Sequence, residues 1–120
     1  MKYYTEIVPF ELAKKLKEAE FPQDETFSDK WYNKDGTLDI LPFRTPICVA
    51  PTYADVFDWL IEKRLSAEME RHCGGDWSVA LYRFYEPHCW YELIRNAHAS
   101  TFHEAANAAI EEACEILKEM

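Results

Sequence analysis

The chain has 120 residues, of which 13 are Lys or Arg and 22 are Asp or Glu, so its formal net charge is −9. Apolar residues make up 48% and aromatic residues 15%, which is too much for a disordered chain and enough for one hydrophobic core. This composition excludes a basic nucleic-acid-binding protein, a collagen-like chain and a disulfide-dense toxin. It predicts a single domain over residues 1–120 with an acidic surface.

The sequence contains no stretch of about 18 apolar residues, and its N-terminus lacks the apolar segment of a signal peptide. Both observations predict a cytoplasmic protein that contacts no membrane and keeps its four cysteines reduced. The excess of acid is concentrated in residues 51–120, which carry 6 basic and 13 acidic side chains. Such a surface repels phosphate backbones, so we expect no direct nucleic-acid contact.

Apolar stripes at helical spacing predict three helices. The first spans residues 9–20, and the second begins after Thr52 and continues to about Arg71. The third follows Thr101, where it begins with a capping-box sequence and carries a continuous alanine-rich stripe. Cys114 falls within that stripe, so it is predicted to be a small core residue.

Two hairpins are predicted between these helices. The Asp-Gly pair at 35–36 is typical of a tight turn and predicts the first hairpin. After the turn Leu38, Ile40 and Pro42 alternate with Thr37, Asp39 and Leu41, which predicts that one face, that of Leu38, Ile40 and Pro42, is buried. Residues 77–85 and 89–97 predict a second hairpin with large side chains on both faces, which requires a cover on each side. The predicted fold class is α+β: one antiparallel sheet with helices packed on both faces, sandwich-like, in the order α-β-β-α-β-β-α.

The second half of the chain contains the sequence PTYADVFDWL at 51–60, the two-strand unit from Trp77, and the sequence TFHEAANAAI at 101–110. In this order the segments resemble small uncharacterised proteins of bacterial phages and prophages. In that family a helix precedes a hairpin, and a final helix closes an α-β-α sandwich. The resemblance implies this fold and a mobile-element context, and it brings no catalytic residues with it.

Histidine and cysteine form two adjacent pairs, His72-Cys73 and His88-Cys89. Zinc needs three or four imidazole or thiolate ligands that converge, but the spacing of these pairs matches no known zinc motif. We therefore expect no metal or other cofactor, and the four residues are the metal candidates if a site exists. Cys73, beside two glycines, is the candidate for a cysteine nucleophile with a histidine base. No catalytic motif surrounds it, so we expect that the protein is not an enzyme.

Two groups of residues are candidates for binding a partner. Glu111, Glu115 and Glu119 share one face near the C-terminus of the last helix, where the helix dipole disfavours negative charge. A basic partner surface would relieve that cost. Trp31 and Trp90 lie on predicted strands, and tryptophan is enriched in binding hot spots.

These features favour a protein-binding accessory factor of phage or mobile-element type, with self-association left open. A small Cys/His-dependent enzyme or metal-binding protein is the alternative from a different class. A third hypothesis is an acidic mimic of nucleic acid that blocks a DNA-binding enzyme, for which a charge of −9 is small.

Overall fold

The computed structural model describes residues 2–24, 26–40, 46–85 and 90–119. A short 3-10 helix, Lys2–Thr5, precedes the first regular element. The α-helices within the described residues are α1 Phe10–Glu18, α2 Tyr53–Glu62 and α3 Phe102–Lys118. The strands are β1 Trp31–Asn33, β2 Leu38–Asp39, β3 Pro46–Val49, β4 Leu65–Arg71, β5 Trp77–Tyr85 and β6 Trp90–Ala99.

In the part of the chain that the structure describes, the strands form two antiparallel sheets of three strands each, ordered β2-β1-β3 and β4-β5-β6. In the second sheet Leu81 pairs with Arg95 while Tyr82 pairs with Leu93, so Ile94 is an extra residue in β6. A bulge of this kind bends the strand and changes which side chains face the core. The predicted α+β class, with helices packed on antiparallel sheets, is confirmed.

Helix α3 lies at the centre of the molecule, between the second sheet and α1. It begins where Thr101 Oγ1 accepts a hydrogen bond from the backbone N–H of Glu104, as its capping sequence predicts. Its buried residues are Phe102, Ala105, Ala106, Ala109, Ile110, Ala113 and Cys114. The many alanines allow close approach on both sides of the helix, and the prediction that Cys114 is a core residue is confirmed.

The prediction that the second helix continues to about Arg71 is wrong. Helix α2 ends at Glu62, and Arg64 adopts the left-handed backbone conformation, with φ 65°, which stops the helix. The backbone N–H of Phe84 donates to the carbonyl of Arg64, so strand pairing begins at that residue. From Leu65 onward apolar and polar residues alternate with a period of two, which is typical of a strand.

The expectation of one sheet with helices on both faces is also wrong. Residues 46–49, which lie between the predicted elements, form β3 and complete a separate first sheet with β1 and β2. In the second sheet α3 packs on one face. With the two additional strands, β3 and β4, the described strands form two three-stranded sheets instead of the single four-stranded sheet that the sequence predicted.

The first hairpin is confirmed, and Gly36 supplies the positive φ of 85° that its turn requires. The prediction that Leu38 and Ile40 are buried is wrong, because they are 44% and 63% exposed, and Pro42 lies outside the described residues. Strand β2 has two residues and lies at the sheet edge, so β1 flanks it on one side only. Asn33 secures this turn by donating a side-chain hydrogen bond to Asp39 at 2.7 Å.

Candidate functional site

The second sheet has one buried face and one face on which none of the described residues is buried. On the inner face, toward α3, Leu65, Trp77, Val79 and Leu81 are buried. Side chains alternate between the two sides of a strand, so the intervening residues point away from the core. We name that side the open face, and its described residues are Ser66, Glu68, Glu70, Ser78, Ala80, Tyr82, Phe84, Leu93, Asn96 and His98. None of these described residues is buried.

The open face is apolar at one end. Tyr82 and Leu93 are register partners on β5 and β6, and Phe84 lies two residues further along β5. Leu93 is 53% exposed, while Tyr82 and Phe84 are half-buried. Exposed apolar clusters of this type mark interaction surfaces, and aromatic residues are enriched there. This end of the face can therefore contact apolar groups of another molecule.

The other end of the open face is polar and acidic. Glu70, Ser78 and His98 lie side by side in register on β4, β5 and β6. Glu68 precedes this row on β4 and is exposed. Among the described residues of the open face there is no Lys or Arg, so Glu68 and Glu70 leave it with negative charge beside the apolar cluster.

The structure describes two of the four residues predicted as metal candidates. His72 directly follows β4, and Cys73 lies exposed in the turn to β5, whereas His88 and Cys89 lie outside the described residues. Within the described part of the chain, no group of three or more His, Cys, Asp or Glu side chains is arranged to hold a metal ion. The participation of His88 and Cys89 stays a prediction.

His72 has partners that its position in the sequence does not show. Its Nε2 lies 2.9 Å from Oγ of Ser78, and the centroid of its ring lies 5.0 Å from that of His98. The register of β4, β5 and β6 brings these residues together. Identifying His98 as the neighbour of His72 requires the register of β4, β5 and β6. The sequence did not give this register, because residues 65–71 were predicted as part of a helix.

The cysteine side chains differ sharply in their surroundings. Burial raises the pKa of the Cys48 thiol and raises that of Cys114 to about 12, so both remain thiols at neutral pH and are poor nucleophiles. Cys73 is an exposed free thiol. The glycines beside it close the β4–β5 turn, in which the backbone N–H of Gly75 donates to the carbonyl of His72. A nucleophilic role for Cys73 thus stays a prediction.

The acidic residues of α3 have basic partners within the chain. Lys15 of α1 donates to Glu111 at 3.0 Å, and Arg95 of β6 donates to Glu112 at 3.2 Å. The hydrogen bond to Glu111 raises the pKa of Lys15, and Glu115 adds a smaller attraction. The chain itself therefore relieves part of the charge that suggested an external basic partner. Binding by the three glutamates predicted on this helix face stays a prediction.

The two candidate tryptophans lie in different sheets. Trp31 is half-buried on β1 and packs against the core beside its register partner Val49. Trp90 begins β6 and pairs with Tyr85 at the apolar end of the second hairpin. Their roles as partner contacts stay predictions. The alternation of residues along β5 did place large side chains on both faces, but it did not identify the face that helices leave open.

A cleft of about 370 Å³ lies at the N-terminus of α2, where Lys30, Thr52 and Asp55 are among its lining residues. Thr52 Oγ1 accepts from the backbone N–H of Asp55, and the Asp55 carboxylate accepts from that of Thr52. This reciprocal capping box engages the backbone N–H groups of Thr52 and Asp55, and that of Tyr53 donates to the carbonyl of Glu6. These three donors are therefore already used within the chain.

Comparison of the chain with protein-family models gave no match, and comparison with curated proteins and with solved structures gave none either. The resemblance to small phage and prophage proteins therefore stays a prediction. Within the described ranges, no helix combines the length and the apolar character needed to cross a membrane. The open face combines an exposed apolar cluster with an acidic end, and we take it as the candidate contact surface.

Proposed function

We propose that the protein is a binding accessory factor, of the phage or mobile-element type that its sequence resembles, and that the open face is its contact surface. One observation carries the proposal: Tyr82, Phe84 and Leu93 cluster on a sheet surface on which no described residue is buried. A sheet with large apolar side chains on both faces needs a cover on each. Helix α3 provides one cover, and a partner protein provides the other.

The size of the open face favours a segment of a partner over a second copy of the chain. Three strands spaced about 4.8 Å apart, with a rise of about 3.3 Å per residue, give a plane of roughly 15 Å by 30 Å. A standard interface takes about 800 Å² from each partner. The face, at roughly 450 Å² in projection, fits one helix or strand better than the side of a globular protein.

The charge of the open face indicates the chemistry of that segment. Glu68 and Glu70 lie beside the apolar cluster, and the whole chain carries a net charge of −9. A second copy would bring like charges together, whereas a segment with apolar residues and Lys or Arg would match both ends of the face. We place this binding in the cytoplasm, the compartment that keeps free cysteines reduced.

The test uses two leucine variants of the tagged chain in affinity capture from the lysate of its own cell, at low and high salt. Leu93→Glu puts a charge on the open face, and Leu38→Glu puts the same charge on a similarly exposed leucine of the first sheet. The wild type and Leu38→Glu should capture the same protein, and Leu93→Glu should not. Calorimetry with the identified, purified partner should then show at least about tenfold weaker binding for Leu93→Glu.

Several results would contradict this function. If Leu93→Glu captures the partner as well as the wild type does, the open face is not the contact surface. The same conclusion follows if both leucine variants lose capture equally. Absence of a partner at either salt concentration removes the binding function itself. The contribution of the acidic residues to binding is tested separately: replacing Glu68 and Glu70 by Gln should reduce the dependence of the affinity on salt.

A further inference from the structure

At the polar end of the open face, His72, which directly follows β4, lies beside His98 of β6. The imidazole rings of His72 and His98 have centroids 5.0 Å apart, and their planes are inclined by 33°. His98 is exposed and His72 is half-buried, so solutes can reach the pair. Imidazole nitrogen is a preferred ligand of Zn²⁺, Ni²⁺ and Cu²⁺, so two neighbouring rings on one surface can act together as ligands.

Ser78 supports one of the two rings. Its Oγ lies 2.9 Å from Nε2 of His72. When this hydroxyl accepts the Nε2–H, the ring is held in the tautomer whose lone pair lies on Nδ1. Metal-binding histidines usually have such a hydrogen bond on their other nitrogen, because it orients the ring and raises its basicity.

We propose that His72 and His98 together bind a divalent transition-metal ion of the class that prefers imidazole: Zn²⁺, Ni²⁺ or Cu²⁺. Glu70, the register neighbour of Ser78, adds negative charge on the same face and favours a cation there. No third protein ligand converges among the described residues, so water completes the coordination and the ion is exchangeable. This site does not depend on the proposed partner protein, and its test includes no partner.

Ni²⁺ is the probe, since it does not oxidise the exposed thiol of Cys73 as Cu²⁺ would. The measurement is isothermal titration calorimetry of the untagged full chain, in which one Ni²⁺ ion should bind. The chain has four histidines, which provide a matched set of His→Asn variants. His72→Asn and His98→Asn should each weaken binding at least about tenfold, whereas His88→Asn and His103→Asn should stay within about twofold of the wild type.

A further measurement separates the histidine pair from other sources of metal affinity. In nuclear magnetic resonance spectra of the wild type, paramagnetic Ni²⁺ should broaden the ring signals of two of the four histidines. This second readout does not depend on whether a variant folds, and the folding of each variant is checked by circular dichroism.

The proposal is overturned if His72→Asn or His98→Asn binds as tightly as the wild type. It is also overturned if the wild type fails to bind at millimolar Ni²⁺, or if the ring signals of all four histidines, or of none, are broadened. Cys73→Ser is the remaining control. A loss in Cys73→Ser as large as that in His72→Asn would assign the ion to the thiol instead of the imidazole pair.

Discussion

Glu20, just after α1, adopts a backbone conformation that is unfavourable for any residue with a Cβ atom. Its φ is 72°, and its backbone N–H donates to the carbonyl of Lys17 as the chain leaves the helix. Glycine is the residue most often found at such helix ends. We predict that Glu20→Gly raises the free energy of unfolding by about 0.5–1 kcal/mol, as measured by urea denaturation.

Glu20→Ala is the matched control, because it removes the same carboxylate and keeps the Cβ atom. It should give no comparable gain. An equal gain in both variants would assign the effect to the loss of one negative charge from an acidic chain, and the explanation by backbone strain would be wrong.

The left-handed conformation of Arg64 explains why the predicted end of the second helix is wrong. Arginine is a good helix former, so nothing at Arg64 in the sequence indicates that a helix ends there, whereas the predicted end of the first helix at residue 20 lies close to its observed end at Glu18. The stripe of α2 was therefore extended past Arg64 into the strand that begins at Leu65. Where a helix end has a sequence signal, as at Thr52 and Thr101, the predicted start agrees with the structure.

At the scale of the elements, the alanines of α3 set the distance between this helix and its neighbours. Ala109 is fully buried, whereas the adjacent Ala108 is half-buried. A leucine at position 109 adds atoms where the helix packs closely, which typically costs about 1–3 kcal/mol of stability. We predict a loss of that size for Ala109→Leu in urea denaturation.

Ala108→Leu is the control on the same turn of α3, and it should be close to neutral because alanine and leucine both favour helices. Equal destabilisation by both variants would show that a larger side chain on this turn is costly in general, and that the close packing at position 109 does not set the effect. A neutral Ala109→Leu would mean that the sheet and α1 can move apart to accommodate the larger side chain.

The ion pairs between elements could not be predicted from the sequence. The periodicity of α3 correctly predicted its buried stripe, but not the partners of its acidic residues. Lys15 and Arg95 reach Glu111 and Glu112 only because α1 and β6 pack on either side of α3. An acidic helix end therefore has the same sequence whether its basic partner belongs to this chain or to another molecule.

The open face follows from the shape of the whole molecule. Its principal extents are 44 × 38 × 22 Å, and its radius of gyration is 14.7 Å, against about 13.6 Å expected for a chain of this length. The shortest extent accommodates one helix layer on one sheet layer, since stacked layers lie about 10 Å apart. Apolar residues on both faces of β5 predicted a layer on each side of the sheet. The sequence of β5 is the same whether the second layer is a helix of this chain or part of another protein.

The core contains two groups, Tyr53 and Cys114, whose deprotonation disfavours the folded state because they are buried. Burial raises the pKa of Tyr53 from 10.0, and that of Cys114 from 9.0, to about 12 in each case. A pKa raised in the folded state stabilises the fold fully below the unfolded pKa, and the stabilisation is lost as the pH rises through the folded pKa. We therefore predict that the free energy of unfolding falls between about pH 9 and about pH 12, as measured by urea denaturation at a series of pH values in the presence of a reducing agent.

Cys114→Ala tests the cause of this alkaline loss, because it removes a buried group whose unfolded form titrates first. The variant should lose less stability between about pH 9 and pH 10 than the wild type, even if the small cavity lowers its stability at neutral pH. Burial also raises the pKa of Cys48, so part of the loss should remain. Cys73→Ala, which removes an exposed thiol, is the matched control for the loss of a cysteine. A profile of Cys114→Ala parallel to that of the wild type would show that the buried thiol does not govern this transition, and that the alkaline loss comes from other groups in the core.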